Sequence, residues 1–328
     1  MRVAVYGSGA VGGFLGTRLL EGGHEVAFIA RGKHLEALQT SGLQVRSALF
    51  GERVYQVRAT SSPAEIGPVD YVLLGVKASS LTQIAPLVEH LKGPHTSFVS
   101  MQNGMPWWYF HGVEGADSPI AAVDPGGVIE RHIPGSLVIG SIVYFSSALA
   151  EPGQVVHSSG ARLPLGEPAG GRTERILTLS SAFQSVGLKA PVRNNIRHEL
   201  WVKLMGNGAL NPLSALTGKT LRDLIDSSDG HGLIRSMMDE IRQVAAAVGV
   251  QIAISNERRI EGARAAGYHK TSMLQDLERG RDPELDALLG AVIELAGRNH
   301  VDVPTLRAID AATRVLFAPR SEGPRTSQ

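Results

Sequence analysis

The chain has 328 residues and a formal net charge of +1, which is long enough for two domains and too evenly charged for a general electrostatic attraction to nucleic acid or an anionic membrane. It contains no cysteine, which excludes disulfides, thiolate metal sites and a thiol nucleophile. No apolar run approaches the roughly 20 residues needed to span a bilayer, no signal peptide precedes the first strand and no metal-ligand spacing stands out, so a soluble cytoplasmic protein without a bound metal is expected.

Arg2-Val3-Ala4-Val5-Tyr6 reads as a short apolar strand, followed by Gly7-Ser8-Gly9-Ala10-Val11-Gly12 and a helix to about Leu20. Gly22-Gly23 ends that helix, and His24 to Ala30 reads as a second strand. The pattern is a βαβ opening with glycines where a dinucleotide pyrophosphate needs them. Gly7 permits the tight turn, Gly9 lets backbone approach the phosphates, and Gly12 lets the helix lie close on the strand, with the helix N-terminus facing the negative charge. A site for NAD usually ends its second strand with an acid that accepts from the ribose hydroxyls. Here Ala30-Arg31-Gly32-Lys33-His34 stands instead, and a guanidinium with a Lys and a His nearby suits the 2′-phosphate of NADP. NADPH is therefore the expected cofactor.

A helix near 33–40 and short strands near 42–46 and 53–58 follow. The strand near 69–76 runs into Lys77, a helix is expected near 79–91, and the strand near 97–101 leads into Gln102-Asn103-Gly104. Lys77 and Asn103 thus fall just past the carboxyl ends of parallel strands, where ligands of open α/β sheets bind. Residues 105–165 are rich in Gly and Pro, with strands near 137–145, 154–158 and 162–165. A helix near 172–186 and a strand to about Val192 complete a first, Rossmann-type domain over 1–192.

From Asn194 the pattern is almost wholly helical, with helices near 195–208, 220–226, 230–248, 255–266, 272–279, 283–298 and 304–317. This defines an all-α domain over 193–318, and the tail 319–328 is expected to be disordered. Lys203, Asn207 and Asn211 recur every four residues and share one face of the first of these helices. A cation and two carboxamides beside Leu200, Trp201, Leu204 and Met205 are costly to bury unless they bind something. Gly206 and Gly208 on the same helix are explained if another molecule approaches its backbone. Lys270-Thr271-Ser272-Met273-Leu274-Gln275-Asp276 starts a helix with Ser or Thr at the cap, and Ser272 is a cap or a carboxylate site, two compatible roles. Asp282-Pro283-Glu284 reads as a helix start with Pro in the first turn. The domain boundary would put the Lys203 helix at an interface, a favoured place for a site.

These segments together resemble the ketopantoate reductase family. The likeness rests on Gly7–Gly12, Val76-Lys77-Ala78, Gln102-Asn103-Gly104-Met105, Asn194 through Leu204, Asn207, Asn211-Pro212-Leu213, Ser272 through Asp276 and Glu284-Leu285-Asp286, and it runs over nearly the whole chain. It implies a nucleotide-binding domain followed by a helical one, an active site in the cleft between them, NADPH as hydride donor and a 2-oxo acid as substrate, with ketopantoate reduction to pantoate as the expected reaction. By position, Lys203 looks like the general acid and Glu284 like the second essential polar group. Asn103 resembles a contact to both nicotinamide and Lys203, Asn207 and Asn211 resemble ligands of the substrate hydroxyl, Ser272 matches the carboxylate contact, and Lys77 and Arg31 match the cofactor side.

The chain also departs from the pattern. An insertion after Asn103 carries Pro106-Trp107-Trp108-Tyr109-Phe110, which is expected to wall the substrate pocket, the alternatives being a lid or a dimer contact. His269 stands where the family often has Asn. These changes keep a bulkier 2-oxo acid as an alternative substrate, a β-hydroxyacid dehydrogenase-like enzyme, which also sets a helical Lys four residues before an Asn, is the other enzymatic alternative, and a homodimer is left open. An NADP(H)-sensing protein is the non-enzymatic alternative, although such a protein has no reason to keep Lys203, Asn207, Asn211 and Glu284 together.

Overall fold

The computed structural model describes residues 1–115, 119–265 and 267–318, and the tail expected to be disordered lies outside the described residues. The chain divides into two compact units, Met1–Leu200 and a second beginning at Trp201.

The first unit contains β1 (Arg2–Tyr6), β2 (Glu25–Ile29), β3 (Leu43–Ser47), β4 (Gly51–Tyr55), β5 (Arg58–Thr60), β6 (Tyr71–Leu74), β7 (Ser97–Ser100), β8 (Val138–Ser141), β9 (Tyr144–Glu151), β10 (Gln154–Arg162) and β11 (Leu165–Gly166). Seven of them form a sheet in the order β11-β8-β7-β6-β1-β2-β5, parallel except for β11 at one edge. The middle strands are buried on both faces, which is why they read as continuous apolar runs rather than alternating ones. The chain leaves β1 toward β2 on one side and returns through β6 on the other. Their carboxyl ends therefore frame the switch point where open α/β sheets bind ligands.

The remaining strands form a second sheet, β4-β3-β10-β9, that the local pattern did not reveal. Its central pairing joins Val45 to Val155 in parallel, across more than a hundred residues. Phe14 and Leu15 of the Ala10–Glu21 helix are buried in one apolar cluster with Leu43, Val45 and Val155, so that helix has sheet strands on both sides. The helix expected near 79–91 is a single α-turn, Leu81–Ile84, between 3₁₀ segments Ala78–Ser80 and Ala85–Leu91. Pro86 explains this, because it lacks the N–H that a continuing α-helix requires.

The aromatic insertion does not present an open wall of rings. Trp107, Trp108 and Tyr109 are fully buried within the first unit. Trp107 Nε1 donates to the Ile133 carbonyl at 2.9 Å and Trp108 Nε1 to Ser100 Oγ at 2.7 Å. The Trp108 ring packs so closely on Gly140 that a methyl group there would lie 2.7 Å from it. The insertion is core, with both indole N–H groups satisfied.

Among the described residues the second unit is helical throughout. The helix expected near 195–208 spans Ile196–Thr217 and passes through Pro212. Leu210, Leu213 and Ala215 are buried, and that burial outweighs the ~3 kcal/mol an interior proline costs. The helix expected from 283 begins instead at Leu285 and opens with a π-helical turn, Asp286–Gly290, before continuing as Ala291–Arg298. Pro283 and Glu284 precede it.

Candidate active site

In the first unit, a cavity of about 270 Å³ lies at the β1/β6 switch point. The turn Gly7-Ser8-Gly9 forms one wall, Arg31 and His34 another, and Leu149 of β9 closes a third side. Gly7 has φ +93°, and an added methyl group would strike Val76 at 2.7 Å. Nothing lies within 4 Å of the position a Gly9 side chain would take, which leaves backbone accessible at the N-terminus of the Ala10–Glu21 helix. An added methyl on Gly12 would lie 2.2 Å from the Gly7 carbonyl, so helix and turn are in contact. The three glycines therefore do what a pyrophosphate-binding turn requires.

The exposed Arg31 lines this cavity at the end of β2. Its guanidinium hydrogen-bonds the Tyr6 phenol. Burial pushes that phenol above its ordinary pKa, and the Arg31 bond and charge oppose the rise. His34, expected beside a 2′-phosphate, is already committed. Its Nδ1 accepts from the Gly153 N–H at 3.0 Å and its Nε2 lies 2.9 Å from the Ser8 carbonyl, so the proton sits on Nε2 and is donated to the glycine turn. His34 thus braces the turn against the β9–β10 hairpin.

Lys77 and Asn103 stand just beyond β6 and β7 but do not line this cavity. Gln102 joins the two strand ends, donating from Nε2 to the Leu74 carbonyl at 2.7 Å and to the Val76 carbonyl at 3.1 Å.

The second unit gathers a different set of groups. Lys203 and Asn207 are half-buried and Asn211 is buried along one helix face. Burial lowers the Lys203 amine to about 8. The neighbouring Glu284 carboxylate opposes the shift and the Arg259 guanidinium adds to it. Glu284 has φ 57°, a left-handed conformation that costs a side-chain-bearing residue on the order of 1–3 kcal/mol. Asp282 Oδ1 accepts the Glu284 N–H at 2.7 Å, and the Glu284 carbonyl accepts the Leu288 N–H at 3.2 Å. The strain is held in place by the turn before the helix and by the helix's first hydrogen bond.

Two expectations are corrected here. Gly206 and Gly208 leave room for protein groups rather than for a foreign molecule. A methyl group on Gly206 would lie 2.1 Å from Arg259 Nη2, and one on Gly208 would lie 3.0 Å from Ile241 Cδ1. Thr271, not Ser272, caps the Ser272–Glu278 helix, its hydroxyl accepting the Leu274 N–H at 3.3 Å. Gln275 instead donates to the Lys270 carbonyl at 3.0 Å, and Ser272 is an exposed first-turn residue.

The sequence does not single out Arg259, because Arg258-Arg259 lies on a polar helix. The signal was its position. Asn256, Ile260 and Ala263 form the buried stripe of the Asn256–Arg264 helix, and Arg259 lies within it. Among the described residues, no group of three or more His, Asp or Glu side chains is placed to hold a metal ion, and no helix is long and apolar enough to cross a membrane.

Comparison with known proteins covers the same two parts. Residues 3–170 match the family model "Ketopantoate reductase PanE/ApbA" and residues 195–316 match its C-terminal counterpart. A 2-dehydropantoate 2-reductase of Mesorhizobium japonicum is 46% identical over 323 residues, which is 98% of this chain and 99% of that protein. A solved structure from Ralstonia solanacearum MolK2 superposes with a TM-score of 0.90 at 36% identity, covering 96% of this chain and 97% of the other. The 2-dehydropantoate 2-reductase of Geobacter metallireducens GS-15 gives a TM-score of 0.85 at 26% identity, over 96% and 99%.

Proposed function

The chain belongs to the ketopantoate reductase family, and from that premise we propose that it reduces 2-dehydropantoate to pantoate with NADPH. The observation that carries the reading is Lys203, a cation made acidic by burial, close to the Glu284 carboxylate and on one helix face with Asn207 and Asn211.

The glycine turn, the exposed helix N-terminus and the cavity beside them fit the pyrophosphate and adenosine of a nicotinamide dinucleotide. Arg31, with no acid at the end of β2, favours the 2′-phosphate form. When bound, the reduced nicotinamide supplies the hydride that adds to the C2 carbonyl carbon of the substrate. The carbonyl oxygen then carries the electron pair of the broken π bond. Lys203 stabilises that charge as an ammonium and gives up one proton to form the hydroxyl, after which the neutral amine recovers a proton from water. Glu284 keeps the amine charged until that moment. Asn207 and Asn211 hold the substrate hydroxyl without competing for the proton. Asn103, Lys77 and Ser272 are assigned to nicotinamide, cofactor and carboxylate contacts respectively.

The test is oxidation of NADPH in the presence of a series of 2-oxo acids. The expected result is preference for 2-dehydropantoate, with Lys203→Ala lowering turnover by ~10²–10⁴-fold while NADPH still binds. Near-normal turnover by that variant would refute the role of Lys203, and a strong preference for a bulkier acid would reject the substrate.

A further inference from the structure

The Lys203 face holds a second cation that the reaction described above does not use. Arg259 reaches across from the Asn256–Arg264 helix and lays its guanidinium on Gly206, one turn beyond Lys203 on the same helix. Residues three apart on a helix are neighbours, with Cβ positions about 5–6 Å apart. The contact depends on Gly206, because any side chain there would occupy the volume of the guanidinium.

The arrangement is built rather than incidental. The start of the Arg259 helix is fixed to the Ser228–Ala247 helix by Arg242, which donates to the Ile254 carbonyl at 2.6 Å and to Asn256 Oδ1 at 2.9 Å. Asn256 Nδ2 in turn donates to Asp239 Oδ1 at 2.6 Å. A glycine in a helix interior and two cations side by side are each unfavourable by themselves. Glu284 offsets one of the two positive charges.

We propose that Arg259 is the specificity-determining residue for the carboxylate of the 2-oxo acid, an inference that rests on reading the Lys203 face as the substrate site. A 2-oxo acid carries its ketone oxygen and its carboxylate on adjacent carbons, and a lysine on one helical turn with a guanidinium laid over the next turn matches that pair of groups. Lys203 takes the ketone oxygen, where a proton must be delivered. Arg259 takes the carboxylate with its two-pronged donor set. Ser272 then supplements this contact and does not carry it.

Three variants test the proposal in the full-length protein: Arg259→Met, Arg259→Lys and Gly206→Ala. Each is assayed with NADPH against 2-dehydropantoate and against its carboxamide, and binding of pantoate to the protein with NADP⁺ is measured by calorimetry. For Arg259→Met, the KM for the acid is expected to rise ~10–100-fold with little change in kcat or NADPH affinity, the effect of losing hydrogen bonds to a charged group. The wild-type preference for acid over amide should largely disappear, and Arg259→Lys should restore part of it. Gly206→Ala should follow Arg259→Met although alanine is the better helix former.

An unchanged KM and unchanged pantoate binding in Arg259→Met would overturn the proposal, as would equal losses for acid and amide. Should Arg259→Met fail to fold, Arg259→Lys and Gly206→Ala decide by the same comparison. A wild-type protein that reduces no 2-oxo acid would overturn the proposed function itself, a result distinct from a working enzyme indifferent to Arg259.

Discussion

In the proposed reaction Lys203 is the proton donor, and its surroundings set a pH dependence with a definite sign. Burial lowers the amine to about 8, with Arg259 acting in the same direction and Glu284 against it. A proton donor must be charged to act, so turnover should hold below that value and fall as pH rises through about 8. Glu284→Gln removes the group that favours the ammonium, so the fall should move to lower pH. Arg259→Met removes a repelling charge, and the fall should move to higher pH. Measuring kcat against pH for the three proteins checks this, and a limb unmoved by both substitutions would mean that another group governs it. The sequence announced Lys203, Asn207 and Asn211 through their four-residue spacing. It could not announce Arg259, whose partner Gly206 lies 53 positions earlier, nor the left-handed backbone of Glu284, which depends on the Asp282 side chain folding back on it.

At the scale of elements, the strands and helices with strong local patterns were legible, and the exceptions share a cause. β3 and β10 find each other only through long-range pairing, Pro86 breaks a helix whose apolar period continues across it, and Pro212 is overridden by burial in a helix that local rules would end. In each case tertiary packing or one missing N–H decides against periodicity. The aromatic insertion shows the same limit, since Trp107-Trp108-Tyr109 reads equally as wall or as core until partners are known. Its anchor is Arg197 at the start of the Ile196–Thr217 helix, which donates to the carbonyls of Tyr109 at 2.6 Å, Pro168 at 2.6 Å and His111 at 2.5 Å. Burial lowers the pKa of this guanidinium, a sign that it is held for its hydrogen bonds. Arg197→Met would remove three hydrogen bonds from a charged group to part-buried carbonyls, each worth about 1–3 kcal/mol. The expected outcome is a loss on the order of 3 kcal/mol or more in denaturant unfolding. A stability within 0.5 kcal/mol of wild type, a margin roughly that of an ordinary surface substitution, would show that water or other donors replace it.

At the scale of the whole molecule, the order of parts was readable from the N-terminus onward. A glycine turn between a strand and a helix, followed by alternating strands and helices and then by helices alone, leaves few topologies, because parallel crossovers have one hand and the switch point follows from strand order. In the proposed function Gly7–Gly9 and Arg31, which line one cavity of the first unit, hold the pyrophosphate and the 2′-phosphate, so cofactor preference should register as stability of the intact protein without any substrate present. A ligand that binds only the folded state at 100 times its dissociation constant stabilises by about 2.7 kcal/mol. For units of this size each kcal/mol raises Tm by roughly 2–4 °C. NADPH should therefore raise Tm by several degrees at a concentration where NADH, lacking the phosphate proposed to pair with Arg31, has almost no effect. Arg31→Asp should reverse the order, because a carboxylate accepts from ribose hydroxyls and repels a phosphate. Equal shifts with the two cofactors in the wild-type protein would remove Arg31 from cofactor selection and leave the glycine turn to bind either dinucleotide.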